Sequence, residues 1–220
     1  MSSVVDLLLA DGRLPVGGHA HSAGLEPALR AAMPPTQISR YLTARLHTVG
    51  RVEAATAVLA RRAALSEFTD LDQIHSAYAA RTSSSALRAA SVQLGRGISR
   101  LAQQLWPAEP CITALAAMAA PYRPVAFGVV AAVAGLDDIR TARTALYDDL
   151  QTAACAAPKL IAVDPVEPVR WVLALADTVE RIADLAVTVT GCADLPAPTA
   201  PQIEQWSLEH ANRHRRIFHA

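Results

Sequence analysis

The chain is predicted to be all-α, a single helical domain of about eight to ten helices. Two observations carry this. Apolar residues recur at three- and four-residue steps through most of the length with no sustained strand alternation, and the composition is alanine-rich, 52% hydrophobic but only 5% aromatic. Small side chains let helix axes approach closely while Leu, Val and Ile supply most of the apolar area. With 220 residues one domain can bury about three-quarters of its unfolded surface, so no disulfide or metal is needed for folding.

Taken in order, the opening run Val4 to Ala10 is short, carries Asp6 and is followed by Asp11, so it does not read as a signal peptide. Leu14 to Glu26, LPVGGHAHSAGLE, specifies a backbone path. Pro15 fixes its own φ, Gly17 and Gly18 can take positive φ or admit a neighbouring segment, and Gly24-Leu25-Glu26 opens a helical pattern. After Pro34-Pro35-Thr36, with Thr36 as cap, a long helix runs through Ile38, Leu42, Leu46, Val49 and Val52 towards Leu65, bent at Gly50. Another follows Thr69-Asp70 and ends near Ser83-Ser84-Ser85, which offer caps to the next.

From Leu87, the positions Leu87, Ser91, Leu94, Ile98, Leu101 and Leu105 give a buried stripe until Trp106-Pro107 stops the helix. Beside it Arg88, Ser91, Gly95 and Ser99 form a small-residue face. Gly95 and Gly97 each cost roughly 1 kcal/mol relative to Ala in a helix, and close approach of another helix is the expected compensation. Segments Cys111 to Ala119, Val125 to Val133 and Asp137 to about Ala157 complete a middle bundle, separated by Pro121, Pro124 and Gly135. Beyond Pro168 one amphipathic helix places Val169, Val172, Leu173, Ala176, Val179, Ile182, Ala183 and Ala186 on its apolar side. Residues 194–201 read as an extended Pro-rich linker. It leads to a helix over Ile203 to Arg213 and a basic, apolar tail, Arg215-Arg216-Ile217-Phe218, too short to bury itself.

Composition excludes several function classes. A formal net charge of zero removes the long-range attraction expected of a nucleic-acid binder or a polybasic membrane-surface protein. The basic residues are almost all arginine, Lys159 being the single lysine, a bias that fits either codon composition or an interface role. Cys111, Cys155 and Cys192 are far apart and odd in number, which fits a reducing, cytoplasmic setting rather than a disulfide framework. The apolar stretch Pro124 to Leu136 is too short to span a bilayer.

No catalytic constellation emerges. There is no GxxxxGK(S/T), GxSxG, HExxH or EF-hand pattern, and the cysteines sit in alanine-rich apolar contexts where a thiol behaves as a small hydrophobe. No catalytic residue and no cofactor are assigned. His19 and His21 flank Ala20, and His210 and His214 are four apart, a spacing that places both imidazoles on one helix face and suits nickel or zinc. Each pair lacks a third ligand, so these four histidines stay an alternative without a firm metal site.

The segment Leu14–Glu26 resembles the amino-terminal signature of the urease accessory protein F family, LPVGGFSHSFGLE. Leu14, Pro15, Val16, Gly17, Gly18, His21, Ser22, Gly24, Leu25 and Glu26 match, with His19, Ala20 and Ala23 in place of Phe, Ser and Phe. Arg88-x-x-Ser91-x-x-x-Gly95, Pro124-Val125-Ala126-Phe127-Gly128, His210 and Arg216-Ile217-Phe218 follow in that family's order. The chain departs from it at Tyr122, where His is common, and at Ala162-Val163-Asp164-Pro165, where Pro-Leu-Gly-Gln is usual. The resemblance covers one full-length domain, 1–220. It implies an all-helical, homodimeric, non-catalytic accessory protein that bridges the D-type scaffold (also called H) and the G-type GTPase to deliver nickel to apo-urease, the nickel being handled by the assembled complex.

On this reading Pro15, Gly17, Gly18, His21, Ser22, Gly24 and Glu26 shape the surface offered to the GTPase. His210, Arg215, Arg216, Ile217 and Phe218 dock the D/H-type partner, and the face of Arg88, Ser91 and Gly95 serves the dimer or close helix packing. Two other readings compete: a nickel metallochaperone binding the ion directly through the histidines, and a helical hydrolase with no residues to support it.

Overall fold

The computed structural model describes residues 4–66 and 71–218, and every regular element among them is helical. In chain order these are α1 (Val4–Leu9), α2 (Leu25–Arg30), α3 (Ile38–Arg45), α4 (Arg51–Ala64), α5 (Leu71–Arg81), α6 (Ser85–Leu105), α7 (Pro110–Ala117), α8 (Arg123–Val133), α9 (Asp138–Leu160), α10 (Glu167–Ala174), α11 (Ala176–Ala186) and α12 (Pro201–Ala211). Ten of these have seven or more residues, in keeping with the predicted class. No helix among the described residues is long and apolar enough to cross a membrane.

At the centre α4 lies against α8, and nearly every residue of both is buried. Their contact depends on Gly128, where an added Cβ would sit 2.2 Å from the Ala57 carbonyl oxygen and 2.8 Å from the Ala60 methyl. The helices α9 and α6 pack on opposite partners of this pair, α9 on α4 and α6 on α8. Around them α5 and α11 cover α4, α7 covers α6, and α12 lies on α6 and α2.

Local chemistry explains most boundaries. Ser84 caps α6, its Oγ accepting from the Leu87 amide at 3.3 Å, and Asp137 caps α9 through the Arg140 amide at 2.8 Å. Pro110, Pro124, Pro168 and Pro201 stand in first turns, where a missing N–H costs nothing. Asp164 builds the turn into α10 by accepting from the Val166 amide at 2.9 Å, so the departure at Ala162–Pro165 still yields an ordered turn. Tyr122 stacks on His75 with ring centroids 4.2 Å apart.

Several expectations need correction. The long helix towards Leu65 runs on through a π-helical turn at Leu46–Gly50, with right-handed helical backbone at Arg45, Leu46, Gly50 and Arg51, whereas Thr36 lies inside a 3-10 turn, Pro35–Gln37, where it caps nothing. The start proposed at Thr69-Asp70 falls outside the described residues. The helix beyond Pro168 is two helices, because the chain breaks at Leu175 and turns that side chain into the core, leaving Val169 and Leu173 exposed. In α6 the stripe is only partly buried: Ser91 and Ile98 face the core as expected, joined there by Gly95, Ser99 and Ala102, whereas Leu87, Leu94 and Leu101 are half-buried and Leu105 is exposed. The last helix ends at Ala211, short of Arg213. Of the segment 194–201, Asp194 closes a 3-10 turn, Cys192–Asp194, and Pro201 already opens α12, and Arg81 pins the start of the segment by donating to the carbonyls of Cys192 and Leu195, both at 2.9 Å.

Candidate partner-docking site

The opening loop is laid across α6 and then turned into α2. Gly17 and Gly24 both adopt left-handed backbone, with φ of 93° and 79°, as glycine alone does readily. At Gly24 the space is also closed, since a Cβ would lie 2.6 Å from the Tyr41 hydroxyl, which donates to the Ala23 carbonyl at 2.6 Å. Gly18 differs from expectation: its φ is not positive and nothing crowds it, so a side chain there is not strained. Upstream, the Val16 carbonyl rests where a Cβ on Gly97 would be, 2.2 Å away. That contact explains the second helical glycine of α6.

The loop delivers Glu26 to a fully buried position on α2. Ser22 Oγ accepts from the Glu26 amide at 3.2 Å and holds the first turn. The Glu26 carboxylate then accepts the backbone N–H groups of Ile217 at 3.0 Å and Phe218 at 2.8 Å, and the Arg30 Nε at 2.7 Å. Burial alone would raise its pKa, yet the two amides and Arg30 outweigh burial and hold the carboxyl below its ordinary range. His210, 2% exposed, donates from Nε2 to the Phe218 carbonyl at 3.2 Å and stands 3.8 Å from Glu26 Oε2. Lys159 lies over the Phe218 ring, 5.4 Å from its centroid.

The two ends of the chain, expected to form separate surfaces, therefore meet in one place. The tail closes over α2 as a strap. Phe218, expected as an exposed anchor, is 4% exposed and seated in its own chain, whereas Ile217 is 58% exposed. Arg213, His214, Arg215 and Arg216 are exposed on the same strap, making a basic rim around one apolar side chain.

The proposed His210/His214 pair does not form. His214 lies beyond the end of α12 and is exposed, while His210 is buried with Nε2 engaged. His19 is exposed and His21 buried, and no group of three His, Cys, Asp or Glu side chains that could hold a metal occurs among the described residues.

The face of Arg88, Ser91 and Gly95 is internal. Arg88 donates to the Thr82 and Ser83 carbonyls at 2.5 and 2.8 Å, Ser91 Oγ accepts from the Arg123 amide at 3.0 Å, and a Cβ on Gly95 would lie 2.0 Å from the Pro121 carbonyl oxygen. What approaches is the loop before α8, not another helix. Ser91 and Gly95 are thus covered within the chain, while Arg88 is half-buried.

Beneath the loop lies a cleft of about 240 Å³ with apolar walls from Leu14, Leu94 and Leu101 and a charged floor. Arg45 makes a two-pronged pair with Asp149 at 2.8 and 2.7 Å. Arg123 pairs with Glu53 and, at 2.6 Å, with Asp148, and Tyr78 donates to Glu53 at 3.0 Å. Burial raises the Glu53 carboxyl above its ordinary range, with Arg123 opposing, while the same burial raises the Tyr41 phenol to about 12. None of this network was assigned from sequence. Arg45 and Glu53 nonetheless fall among Leu42, Leu46, Val49 and Val52 at helical spacing, and a charge in a core-facing register is the signal that could have marked them.

A sequence profile of the UreF family matches residues 34–176. The chain belongs to the UreF family. Among similar proteins, the urease accessory protein UreF of Mycobacterium sp. (strain JLS) is 36% identical over 226 residues, covering 99% of each chain. That of Mycolicibacterium vanbaalenii is 37% identical over 225 residues, again 99% of each. That of Mycobacterium tuberculosis (strain H37Rv) is 34% identical over 219 residues, covering 99% of this chain and 98% of the other. The profile covers the central bundle, and the alignments with other UreF proteins extend over nearly the full chain, including the loop and the strap.

Proposed function

We propose that this UreF-family protein is a non-catalytic adaptor in urease maturation, joining a D/H-type scaffold to a G-type GTPase so that the assembly delivers nickel to apo-urease. The observation that carries this reading is the seat of the strap on Glu26. A preorganised loop and a tethered tail joined by a buried carboxylate form one rigid surface with little ordering cost left at binding. Ile217 supplies an apolar anchor, and Arg213, Arg215 and Arg216 favour an acidic partner. A second copy of the chain is also assigned as a partner, through a face other than that of Ser91 and Gly95.

Glu26→Ala tests the adaptor reading, because it removes the acceptor of both tail amides. Scaffold and GTPase binding should both weaken at least about tenfold, roughly 1.4 kcal/mol, while circular dichroism shows the helical body intact. Deleting residues 213–220 should do the same. Unchanged binding of both partners by soluble Glu26→Ala protein would overturn the reading, and loss of one partner alone would show that loop and strap act as independent surfaces.

A further inference from the structure

The strap is held at a buried point where two titratable groups face each other. Glu26 is saturated: its oxygens already accept from Ile217 N, Phe218 N and Arg30 Nε. His210 spends its Nε2–H on the Phe218 carbonyl, so the same residue of the strap is gripped at both its N–H and its C=O. The other ring nitrogen, Nδ1, is buried and finds no hydrogen-bond partner among the described residues. The neutral tautomer carrying its proton on Nε2 is therefore the one that fits.

We propose that the strap is a proton-sensitive latch, closed while His210 is neutral and released when its Nδ1 takes a proton. The added N–H would point into a site with no acceptor, and the new charge would lie buried close to two guanidinium groups. The charged groups acting on the ring are Glu26 and Arg30 from α2 and Arg216 from the strap itself. From the other elements at this point, α9 sets Lys159 over Phe218, and before α6 Ser84 meets Ser207 of α12, 2.6 Å away, while Ser83 donates to the Glu204 carboxylate of α12. Of the charged groups acting on the ring only Glu26 favours the imidazolium. It can approach the ring, now 3.8 Å away, only by loosening its bonds to the tail amides.

The direction of the titration agrees with this geometry. Burial lowers the His210 pKa from 6.5, and Arg216 and Arg30 lower it further, against the Phe218 carbonyl and Glu26, which raise it. A depressed folded-state value means that the closed strap binds fewer protons than the open one. Latch stability is then complete above about pH 6.5 and is lost as pH falls through the folded value. Glu26, also depressed, adds a second loss in the same direction, below about pH 4.5. Separation of the two windows lets His210 be titrated while Glu26 stays ionised.

This inference uses the docking reading above only for its consequence, that mild acid would dissolve the partner surface. Its test therefore contains no partner. In full-length protein, nuclear magnetic resonance should show the Ile217 and Phe218 amides shifting together between pH 7.5 and 5.5, with one midpoint below 6.5 shared by the His210 ring. Their solvent exchange at pH 5.5, corrected for intrinsic rate, should exceed that at pH 7.5 by about tenfold. His210→Gln keeps a donor for the Phe218 carbonyl without a titration and should hold the strap closed at both pH values. If that variant opens its strap at every pH, the wild-type titration decides alone. A His210 midpoint at or above 6.5, amides unmoved through the His210 titration, or an unchanged opening midpoint in His210→Gln would each overturn the latch. If the latch holds but neither partner binds, the adaptor reading fails and the latch stands.

Discussion

Gly128→Ala is expected to destabilise the protein by about 3 kcal/mol, a large share of the 5–15 kcal/mol that holds a typical domain together. Helix propensity alone predicts the opposite sign, since Ala in a helix interior is favoured over Gly by about 1 kcal/mol. The structure decides between them. The new methyl would lie 2.2 Å from the Ala57 carbonyl oxygen and 2.9 Å from the Arg61 amide nitrogen, atoms of backbone that no rotamer change can move. Both helices are buried almost throughout, so withdrawing either opens gaps along the whole of the central contact. Gly50→Ala is the control, because its nearest atom, at 3.2 Å, is the end of the Leu146 side chain, which can shift. Urea unfolding of the two variants measures the difference. A Gly128→Ala protein as stable as its parent would mean that α4 and α8 do not approach this closely.

Arg123→Gln should cost about 3–5 kcal/mol, because it strands buried carboxylates rather than removing a pair. Glu53 would lose its main counter-charge and remain near Asp149, whose carboxyl is held low mainly by Arg45 against the effect of burial. The residual damage should depend on pH with a definite sign. Glu53 already titrates above its ordinary value, and a carboxyl raised in the folded state contributes stability that is complete below about pH 4.5 and is lost as pH rises through the folded value. Arg123→Gln should therefore lose stability more steeply than its parent as pH rises above about 4.5. Adding Glu53→Gln to Arg123→Gln should flatten that dependence and recover at least about half of the loss. Denaturation curves at several pH values check both statements, and a pH-independent deficit would show that Arg123 acts by packing alone.

Much of the fold was legible because helix ends are written locally. Ser84 and Asp137 mark boundaries by chemistry within one turn of themselves, and the structure follows both. The opening loop was legible as a constrained path for the same reason, though only coordinates separate Gly17 and Gly24, which need their left-handed backbone, from Gly18, which does not. The error at α6 was of another kind. Periodicity says that a helix has an apolar stripe but not which neighbour it meets, and here the small face meets the Arg123 amide and the Pro121 carbonyl at distances that exclude leucine.

The candidate site was half legible. Each of its two segments stood out alone, one for glycine and proline geometry and the other for apolar residues beyond a linker, and both were taken for outward-facing surfaces. Their joining through Glu26 spans 191 and 192 positions of chain, and no periodicity or cap reaches that far. The charged floor of the cleft was hidden similarly, since Arg45 and Asp149 are 104 positions apart and Arg123 and Glu53 are 70 apart. What the sequence determined by itself was the all-α class, the capped helix starts at Ser84 and Asp137 and the glycine-dependent path of the opening loop, because these follow from backbone preferences acting over a few residues. Which helix face is buried, which glycine cannot carry a methyl, and which carboxylate holds the tail were decided by tertiary structure alone, because close contact and desolvation exist only once distant segments have met.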